Sequence, residues 1–447
     1  MPAADFPDPL RGLAARHGPR RAIVDRGAGY HVTWFDLDGL AHVWARRLEG
    51  AGLRAGERVA VLEPAGIRLA ALLHACLRSG AALVPLSPQA PAAEMERVLA
   101  DCRPRFLVRD GELEELETAP VTADPADVAI LYTSGTTGPA KGVRLTLATH
   151  VASANGCREA LNLSESDRWL LALAPHHVGG LAVLFRAVIC NQQAVTLPRF
   201  EVGACLEALN ADRPTVVSLV PTMLDQLLAA GGAEALRATK ILIGGAPAPA
   251  QRVREWAALG LTVCPSYGLT ETCSQVAVVP PGEAERLAGT SGRAGPQAAL
   301  DVGEDGEIVV SGPCVSPGYV NRALAPAPGG GTFHTGDLGR LADGVLTVLG
   351  RRDDLILTGG ESVQPEEVEA VLCAHPAVRD AAVAGRPDGL WGEVVGAWLV
   401  LEGEASEAQL RAWCRERLAG FKVPRRWTFV EKLPRSEGGK LHRRELS

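Results

Sequence analysis

The sequence predicts an α/β protein with a large N-terminal domain, residues 1–352, and a smaller α+β domain, residues 353–447. Three observations support this class. Strand-like and helix-like segments alternate along the chain, several predicted strands end in polar or glycine-rich turns, and 447 residues exceed what one hydrophobic core usually holds. Gly350–Asp354 marks the boundary, because the pattern changes to a compact module beyond it.

The alternation begins in the first hundred residues. Trp34–Leu53 carries apolar residues at helical spacing and contains Gly50 and Gly52 at its end, which predicts a helix and its stop. A strand is predicted at Val59–Glu63, a helix at Ile67–Arg78 and a second strand at Ala82–Pro85. This strand–helix–strand order indicates a largely parallel sheet with helices on its faces.

The same order continues further along the chain. The remaining N-terminal predictions are strands at Val128–Leu131, Arg168–Leu173, Ala194–Leu197, Val216–Val220, Ile241–Ile243, Thr262–Cys264, Glu307–Val310 and Leu346–Leu349, with helices at Leu181–Cys190 and from Thr222. Beyond the boundary, the predictions are helices from Pro365 and over Glu407–Leu418, with strands near Ala381–Ala384 and Val394–Leu401.

The composition of the chain argues against several classes of binding partner and location. The net charge is −7, which favours neither nucleic acid nor an anionic membrane as a partner. Met1–Arg11 does not resemble a signal peptide, and no apolar stretch is long enough to span a bilayer. The ten cysteines are scattered without a Cys-x-x-Cys pair, which predicts reduced and mostly buried thiols. Together these features predict a cytoplasmic enzyme or binding protein.

Tyr132–Gly142, which reads YTSGTTGPAKG, follows the predicted strand Val128–Leu131 and is rich in groups that bind phosphate. A strand that opens into a glycine-rich loop lets backbone N–H groups and hydroxyls reach phosphate oxygens, and Lys141 adds a cation. The loop is not a Walker motif, because Lys141 is followed by Gly142. A nucleotide phosphate loop is the favoured interpretation, and a polar surface turn is the alternative.

Other turns follow the later predicted strands. Gly244-Gly245-Ala246-Pro247 comes after Ile241–Ile243, and Tyr267-Gly-Leu-Thr-Glu-Thr272 comes after Thr262–Cys264. In open α/β sheets, ligands bind at the ends of such strands. Farther on, the chain reads Phe333-His-Thr-Gly-Asp337, Gly350-Arg-Arg-Asp-Asp354, Gly359-Gly-Glu361 and Gly438-Gly-Lys440.

In this order, these segments resemble the acyl-adenylate-forming superfamily, which contains acyl-CoA synthetases, luciferases and peptide-synthetase adenylation domains. The resemblance extends through nearly the whole chain to Lys440. It implies that the N-terminal domain of mixed and parallel sheets also has a small barrel-like part, and that the C-terminal domain is mobile. It also implies ATP and Mg²⁺ as cofactors, CoA as co-substrate and a small carboxylic acid as substrate.

The resemblance implies roles for individual residues of the N-terminal domain. Glu271 holds Mg²⁺, Tyr267 stacks on adenine, and Asp337 with Arg351 binds the ribose. The full ATP-binding set implied by the resemblance is Thr133, Ser134, Gly135, Thr136, Thr137, Gly138, Lys141, Gly244, Gly245, Ala246, Pro247, Tyr267, Gly268, Thr270, Asp337 and Arg351. In this set, the proline of the usual Pro-Lys pair stands one place early, at Pro139.

The C-terminal roles implied by the resemblance serve two half-reactions at one site. Asp353 is the hinge about which the domain rotates. Lys440 enters for acyl-adenylate formation and is counted as catalytic with Glu271 and Lys141. After rotation, the face with Gly359 and Gly360 leaves room for the pantetheine arm of CoA.

The acid is assigned from the acyl pocket, which the resemblance implies is lined by Ala174–Gly180 and Val220–Thr222. His177 matches the residue at the pocket mouth, and Arg186 is a candidate to bind a second substrate carboxylate. The short chain, the run Tyr267–Gln275 and Arg186 are most similar to the ligases that activate 2-succinylbenzoate in menaquinone synthesis. The alternatives are another aryl- or acyl-CoA synthetase, an enzyme that loads a carrier protein, and a non-catalytic nucleotide-binding protein. The sequence leaves homo-oligomerisation open.

Overall fold

The computed structural model describes residues 8–117, 124–133, 140–320, 331–435 and 441–446. The predicted phosphate-loop residues Ser134, Gly135, Thr136, Thr137 and Gly138 lie outside these ranges, and so does Lys440.

The elements up to residue 160 are, in chain order, α1 (Pro9–His17), β1 (Arg21–Asp25), β2 (Tyr30–Thr33), α2 (Trp34–Gly50), β3 (Arg58–Leu62), α3 (Ile67–Arg78), β4 (Ala82–Pro85), α4 (Ala92–Cys102), β5 (Phe106–Arg109), β6 (Glu112–Glu115), β7 (Asp127–Thr133), β8 (Lys141–Thr146) and α5 (Leu147–Ala160). They are followed by β9 (Arg168–Leu171), α6 (Val178–Ile189), β10 (Gln193–Thr196), α7 (Val202–Ala211), β11 (Val216–Leu219), α8 (Pro221–Ala229), α9 (Ala233–Leu236), β12 (Lys240–Ile243), α10 (Ala250–Ala258), β13 (Thr262–Leu269) and β14 (Ser274–Val278).

The remaining elements are β15 (Gly292–Ala294), β16 (Ala299–Val302), β17 (Glu307–Ser311), β18 (Gly318–Tyr319), β19 (Thr332–Ala342), β20 (Val345–Arg351), β21 (Ile356–Thr358), β22 (Glu361–Val363), α11 (Pro365–Cys373), β23 (Val378–Asp388), β24 (Gly392–Leu401), α12 (Glu407–Arg415) and β25 (Arg426–Phe429). Short 3-10 helices are formed by Thr270–Thr272, Arg352–Asp354, Gly420–Lys422 and Arg443–Glu445.

The predicted strands and helices are confirmed, with shifts at their ends. Helix α2 begins after Thr33 because Thr33 and Asp36 form a capping box, with Thr33 Oγ1 accepting from the Asp36 N–H at 3.2 Å. It ends at Gly50 rather than Leu53, and Gly52 turns the chain with φ +99°. The predicted helix at Leu181–Cys190 begins earlier, at Val178.

Within the described ranges, the N-terminal part contains two sheets. One sheet has the strand order β18-β8-β7-β4-β3-β5-β6. The other has 13 strands in the order β16-β17-β19-β20-β15-β14-β13-β12-β11-β9-β10-β1-β2. Strand β13 joins its two halves, because its first residues pair in parallel with β12 and Ser266–Leu269 pair antiparallel with β14.

Helix α3 lies between the two sheets, in contact with β1 of one sheet and with β4 and β7 of the other. Almost every residue of α3 is buried, including Leu69, Leu72 and Leu73. A helix that is apolar all round is typical of such an interior position. The predicted burial of the cysteines is also confirmed: nine of the ten are buried, Cys373 is half-buried, and all ten are free thiols.

The C-terminal residues form their own sheet and core. Strands β22-β21-β24-β23 lie in that order, and β25 pairs with β24. Helices α11 and α12 pack on this sheet around a core that includes Leu372, Leu399 and Leu410. This arrangement confirms the α+β class of the C-terminal part, and the proposed boundary between residues 352 and 353 stays a prediction. No helix in the described ranges has the length and apolar character needed to span a membrane.

Candidate active site

Four predicted binding segments follow neighbouring strands of the larger sheet. Strands β9, β11, β12 and β13 run parallel to one another. The carboxyl ends of such strands meet at one edge of the sheet, which is where ligands bind in α/β folds. The four segments are Ala174–Gly180 after β9, Val220–Thr222 after β11, Gly244–Pro247 after β12 and Tyr267–Thr272 at the end of β13.

Tyr267, Asp337 and Arg351 come together on the antiparallel half of that sheet. Asp337 on β19 stands opposite Arg351 on β20, and Arg351 Nε lies 2.8 Å from Asp337 Oδ1. The Tyr267 hydroxyl donates to Asp337 Oδ2 at 2.7 Å. Burial, followed by the negative charge of Asp337, raises the pKa of Tyr267, so that its hydroxyl remains a donor. Both carboxylate oxygens of Asp337 are therefore engaged by protein groups.

The turn before Asp337 is fixed by its own hydrogen bonds. Thr335 Oγ1 donates to the Ile308 carbonyl at 2.8 Å and accepts from the Asp337 N–H at 3.0 Å. Gly336 has φ +71°, and its N–H donates to Glu307 Oε1 at 2.9 Å. The residue Asp337 is only 7% exposed, and these contacts hold its carboxylate in place.

Glu271 and Lys141 lie on either side of Tyr319. The Tyr319 hydroxyl donates to Glu271 Oε1 at 2.9 Å, and Lys141 Nζ lies 5.5 Å from the centroid of the Tyr319 ring. Strand β18 brings Tyr319 here because it pairs with β8, which begins at Lys141. Burial and the adjacent Glu271 raise the pKa of Tyr319. Sequence reasoning missed Tyr319, because only strand pairing places it between these two residues.

The signature after β13 depends on close backbone approach. A Cβ at Gly268 would lie 2.1 Å from the Ser274 carbonyl oxygen, so only glycine fits there. Thr272 Oγ1 accepts from the Leu269 N–H at 2.9 Å and fixes the short helix that carries Thr270 and Glu271. No described residue donates to Glu271 Oε2, which leaves a carboxylate oxygen that suits a hard cation such as Mg²⁺.

Two other predicted ATP-binding segments lie near these groups. Thr133 and Lys141 stand opposite each other across β7 and β8, and flank the phosphate-loop residues that the structure does not describe. Gly244 follows β12, next to β13, and the Ser266 hydroxyl donates to the Ile243 carbonyl at 2.8 Å. Gly245 has φ +77° and is exposed, whereas Ala246 is half-buried and Pro247 is exposed.

Arg186 is buried inside the N-terminal domain. It lies on α6, is 2% exposed, and donates through one terminal nitrogen to Gln275 Oε1 at 2.6 Å and to Ser274 Oγ at 3.1 Å. Its Nε and its other terminal nitrogen have no hydrogen-bond partner among the described residues. No described carboxylate lies within ion-pair distance of it. Buried arginines are normally paired, so this one is unusual.

The surroundings of Arg186 are neutral. The His150 ring stacks on Phe185 with 3.5 Å between ring centroids, and burial, helped by Arg186, lowers the pKa of His150 to about 3. His150 Nε2 and Gln275 Nε2 also lack hydrogen-bond partners within the described ranges. Gln275, which binds the Arg186 guanidinium, therefore adds an amide donor without a described partner to the two of Arg186 itself.

His177 lies at the amino end of α6, where the residue is exposed but its ring packs beside that of His176. The two ring centroids are 4.4 Å apart, and desolvation of the ring lowers the pKa of His177 below its ordinary value. Burial and the neighbouring His177 lower the pKa of His176 to about 4. Both rings are therefore neutral at pH 7.

The predicted CoA face lies on the C-terminal sheet. Gly359 and Gly360 form the turn between β21 and β22, with φ values of +60° and +87°. A Cβ at Gly359 would lie 2.4 Å from the ring of Trp391, whose carbonyl accepts from the Gly359 N–H at 3.0 Å. The Arg425 guanidinium lies 4.3 Å from the Trp391 ring centroid. Sequence reasoning missed Trp391 and Arg425, because they are distant from the glycines along the chain.

Comparison with known proteins agrees with this geometry. The family model described as AMP-binding enzyme matches residues 10–320, and the model for the AMP-binding enzyme C-terminal domain matches residues 367–440. The chain belongs to the AMP-binding enzyme family. The superfamily resemblance and the fold class predicted from the sequence are therefore confirmed.

Relatives that match nearly the whole chain share one name. The 2-succinylbenzoate–CoA ligase of Bacillus licheniformis is 36% identical, with 99% of each chain covered. The o-succinylbenzoate CoA synthetase of Bacillus subtilis in complex with the acyl-adenylate intermediate OSB-AMP superposes with a TM-score of 0.88 at 34% identity, covering 99% of this chain and 98% of that one. The same enzyme with ATP and magnesium ion gives a TM-score of 0.87 at 34% identity, covering 98% and 99%.

Proposed function

We propose that this protein is an ATP-dependent acid–thiol ligase that forms an acyl-adenylate and then a CoA thioester, with 2-succinylbenzoate as its acid. The observation that carries the choice of acid is the buried guanidinium of Arg186, two of whose nitrogens have no partner among the described residues. Two observations support the nucleotide chemistry. Asp337 is hydrogen-bonded to Tyr267 and ion-paired with Arg351, and solved structures of a relative contain ATP or OSB-AMP.

Asp337 and Arg351 hold the ribose in this proposal. Ribose hydroxyls donate to the Asp337 carboxylate, and Arg351 donates to the ribose oxygens from the opposite strand. Tyr267 presents its ring to adenine while its hydroxyl keeps Asp337 in position. Gly244–Pro247 lies against the same ring, where small residues allow close approach.

The phosphates lie between the loop that follows β7 and the short helix of Glu271. Lys141 and the loop hydroxyls bind the phosphate oxygens, and Thr270 reaches the α-phosphate. Glu271, oriented by the Tyr319 hydroxyl, fits Mg²⁺ because one of its oxygens is left without a donor in the described part of the chain. Mg²⁺ that arrives with ATP neutralises charge on the phosphates.

The first half-reaction joins the acid to AMP. A carboxylate oxygen of the acid attacks the α-phosphorus of ATP, the bond to the bridging oxygen breaks, and pyrophosphate leaves with the electron pair. Lys440 stabilises the negative charge that develops there, which is the kind of interaction that contributes most to catalysis.

The second half-reaction transfers the acyl group to CoA. The thiolate of CoA attacks the acyl carbonyl carbon, the bond to AMP breaks, and AMP leaves. Rotation about Asp353 turns the face of Gly359 and Gly360 inward, where Trp391 forms a wall beside the pantetheine arm. Arg425 lies over the Trp391 ring and is exposed, so it can contact the negatively charged end of CoA.

Arg186 selects an acid with two carboxylates. One carboxylate becomes the acyl-adenylate, and the other remains charged and needs a cation in a buried pocket. The two unpartnered nitrogens of Arg186 supply charge-assisted hydrogen bonds for it. His177, neutral at pH 7, contributes an uncharged polar group at the pocket mouth.

The test of this function is acid-dependent pyrophosphate release from MgATP, with and without CoA, over a panel of 2-succinylbenzoate, benzoates and fatty acids. We expect selective turnover of 2-succinylbenzoate with CoA. Turnover of another acid would reject the choice of acid. Pyrophosphate release that CoA does not accelerate would reject CoA as the acceptor, and no turnover across the panel would reject the ligase function.

The role of Arg186 has its own test. Arg186→Ala should raise KM for 2-succinylbenzoate by about 10- to 100-fold, because the variant loses the binding free energy of hydrogen bonds between charged groups. KM for benzoate, which lacks the second carboxylate, should change little. Arg254→Ala, at an exposed arginine on α10, is the matched control. Equal changes for both acids would contradict the assignment.

A cytoplasmic location stays a prediction, which cell fractionation would test. The oligomeric state in solution requires light scattering.

A further inference from the structure

Arg443 lies in a cluster of three carboxylates that the proposed mechanism does not use. Its Nε is 3.2 Å from Asp354 Oδ2, and one terminal nitrogen donates to Glu366 Oε1 at 2.5 Å and to Glu369 Oε2 at 3.2 Å. The other terminal nitrogen donates to Glu369 Oε1. The side chain is 14% exposed, so the cluster is shielded from solvent.

The carboxylates belong to separate elements. Glu366 and Glu369 lie one turn apart on α11, and Asp354 ends the 3-10 helix that contains the hinge residue Asp353. Arg443 also donates to the Val383 carbonyl on β23 at 3.1 Å. One guanidinium thus joins the chain terminus to the hinge segment, to α11 and to β23.

The cluster lies next to the end of β20, which carries the proposed ribose ligand Arg351. Glu366 Oε2 lies so near Gly350 that a Cβ there would approach it to 2.2 Å. Gly350 precedes Arg351, the proposed ribose ligand, in β20. Burial raises the pKa of Glu366, an effect that the adjacent Arg443 opposes and the neighbouring Glu369 adds to.

The residues on both sides of Lys440 are anchored to the C-terminal part. Arg435 pairs with Asp380 at 3.0 and 2.8 Å, and Arg435 and Leu441 form an antiparallel bridge. The His442 N–H donates to the Pro434 carbonyl at 2.9 Å. Leu441 packs against the small core around Trp398. Arg443, three residues after Lys440, is the charged anchor on the carboxyl side.

We propose that Arg443 is a positioning residue for acyl-adenylate formation: by binding Asp354, Glu366 and Glu369 together, it fixes the segment after Lys440 on the hinge-facing side of the C-terminal part. The inference rests on the proposed function, because it assigns Arg443 a task only if Lys440 acts in the first half-reaction. Arg443 contacts neither glycine of the Gly359–Gly360 turn, so the second half-reaction does not require it.

The experiment measures the two half-reactions separately in the full-length protein. Acid-dependent exchange between ATP and labelled pyrophosphate reports the first, and single-turnover thioester formation from a pre-formed acyl-adenylate with CoA reports the second. In Arg443→Ala, the exchange rate should fall by about 10²-fold, as expected when a catalytic group is misplaced. Thioester formation should stay near the wild-type rate.

Two further variants keep the test valid if Arg443→Ala unfolds. Arg443→Lys keeps a charge but cannot bridge three carboxylates, so its exchange rate should be intermediate. Asp354→Asn should lower exchange in the same direction by a smaller factor. Lys422→Ala removes the neighbouring pair between Lys422 and Glu367 on the same helix, at 2.6 Å, and is the matched control that should leave exchange unchanged.

An equal loss of both half-reactions, or an unchanged ratio between them in Arg443→Lys and Asp354→Asn, would overturn the positioning role. Failure of the proposed function would look different, because the wild-type protein itself would then show no acid-dependent exchange.

Discussion

The candidate site has a nucleotide end, around Asp337 and Arg351, and an acyl end, around Arg186. The two ends differ in whether the buried charge is paired with a group of opposite charge. At the nucleotide end, Asp337 is paired with Arg351 and accepts a hydrogen bond from Tyr267. At the acyl end, Arg186 is more deeply buried, yet two of its nitrogens lack a partner among the described residues.

This difference corresponds to two kinds of recognition. A pre-paired carboxylate costs little stability and holds its geometry, which suits a nucleotide that every member of the family must bind. An unpaired buried cation costs stability, and only a substrate of opposite charge compensates for it. Under the proposed function, the charge of Arg186 that no described residue neutralises is what selects the acid. The following predictions test this contrast, from the largest expected effect to the smallest.

Removing the charge at the nucleotide end should have the largest effect. Asp337→Asn leaves Arg351 without its ion pair and weakens the ribose contact, so kcat/KM for ATP should fall by about 10²- to 10³-fold, as for truncation of a buried charge pair. Steady-state kinetics with varied ATP give the value. Asp343→Asn, at the exposed turn between β19 and β20, is the control. A loss below tenfold would contradict the proposed role.

A carboxylate introduced beside Arg186 should give this arginine an internal ion pair, as Arg351 has with Asp337. Gln275→Glu places a carboxylate where Arg186 now donates to an amide oxygen at 2.6 Å. KM for 2-succinylbenzoate should rise by about 10- to 100-fold, because the substrate must compete with an internal partner. Resistance to urea should increase. Gln89→Glu on the surface is the control, and an unchanged KM would show that Arg186 does not bind the acid.

Acid should destabilise the acyl end through His150. Burial, with Arg186, holds its pKa near 3 in the folded protein, whereas the unfolded chain binds a proton near pH 6.5. The unfolded state therefore binds more protons below pH 6.5, and stability falls as the pH falls towards 3. From pH 7 to 5 this amounts to about 2 kcal/mol.

Urea unfolding of the wild type and His150→Gln at both pH values measures this term. The variant should lose about 2 kcal/mol less than the wild type. His31→Gln, at an exposed histidine, should behave as the wild type does. Parallel losses in all three proteins would show that His150 does not stay neutral in the folded state.

The smallest effect is expected at Tyr319, which connects the phosphate groups. Tyr319→Phe removes the hydrogen bond to Glu271 Oε1 and keeps the ring beside Lys141. The Mg²⁺ concentration for half-maximal activity should rise about five-fold, in line with one hydrogen bond of about 1 kcal/mol. Tyr30→Phe, on the exposed strand β2, is the control. An unchanged Mg²⁺ concentration for half-maximal activity would contradict the role of Tyr319 in orienting Glu271.

Much of the fold could be predicted from local sequence patterns. Apolar periodicity predicts both ends of α3, and the residue types in the turns after β12 and β13 indicate binding segments without reference to the pairing of their strands. Such patterns are visible because burial selects apolar residues at the spacing of the element. The sequence could not show that α3 is enclosed by two sheets, since that depends on pairings between distant strands.

The site shows the same division. The order of the motifs along the chain and their resemblance to the acyl-adenylate-forming superfamily imply the nucleotide-binding set, which stays a prediction. Only the tertiary structure decided that Tyr319 lies between Glu271 and Lys141, that Trp391 packs on Gly359, and that Arg443 joins three carboxylates. It also decided that Arg186 is buried with no carboxylate of the described ranges beside it. These facts depend on which distant segments the fold brings within a few ångströms, and no local pattern encodes that distance.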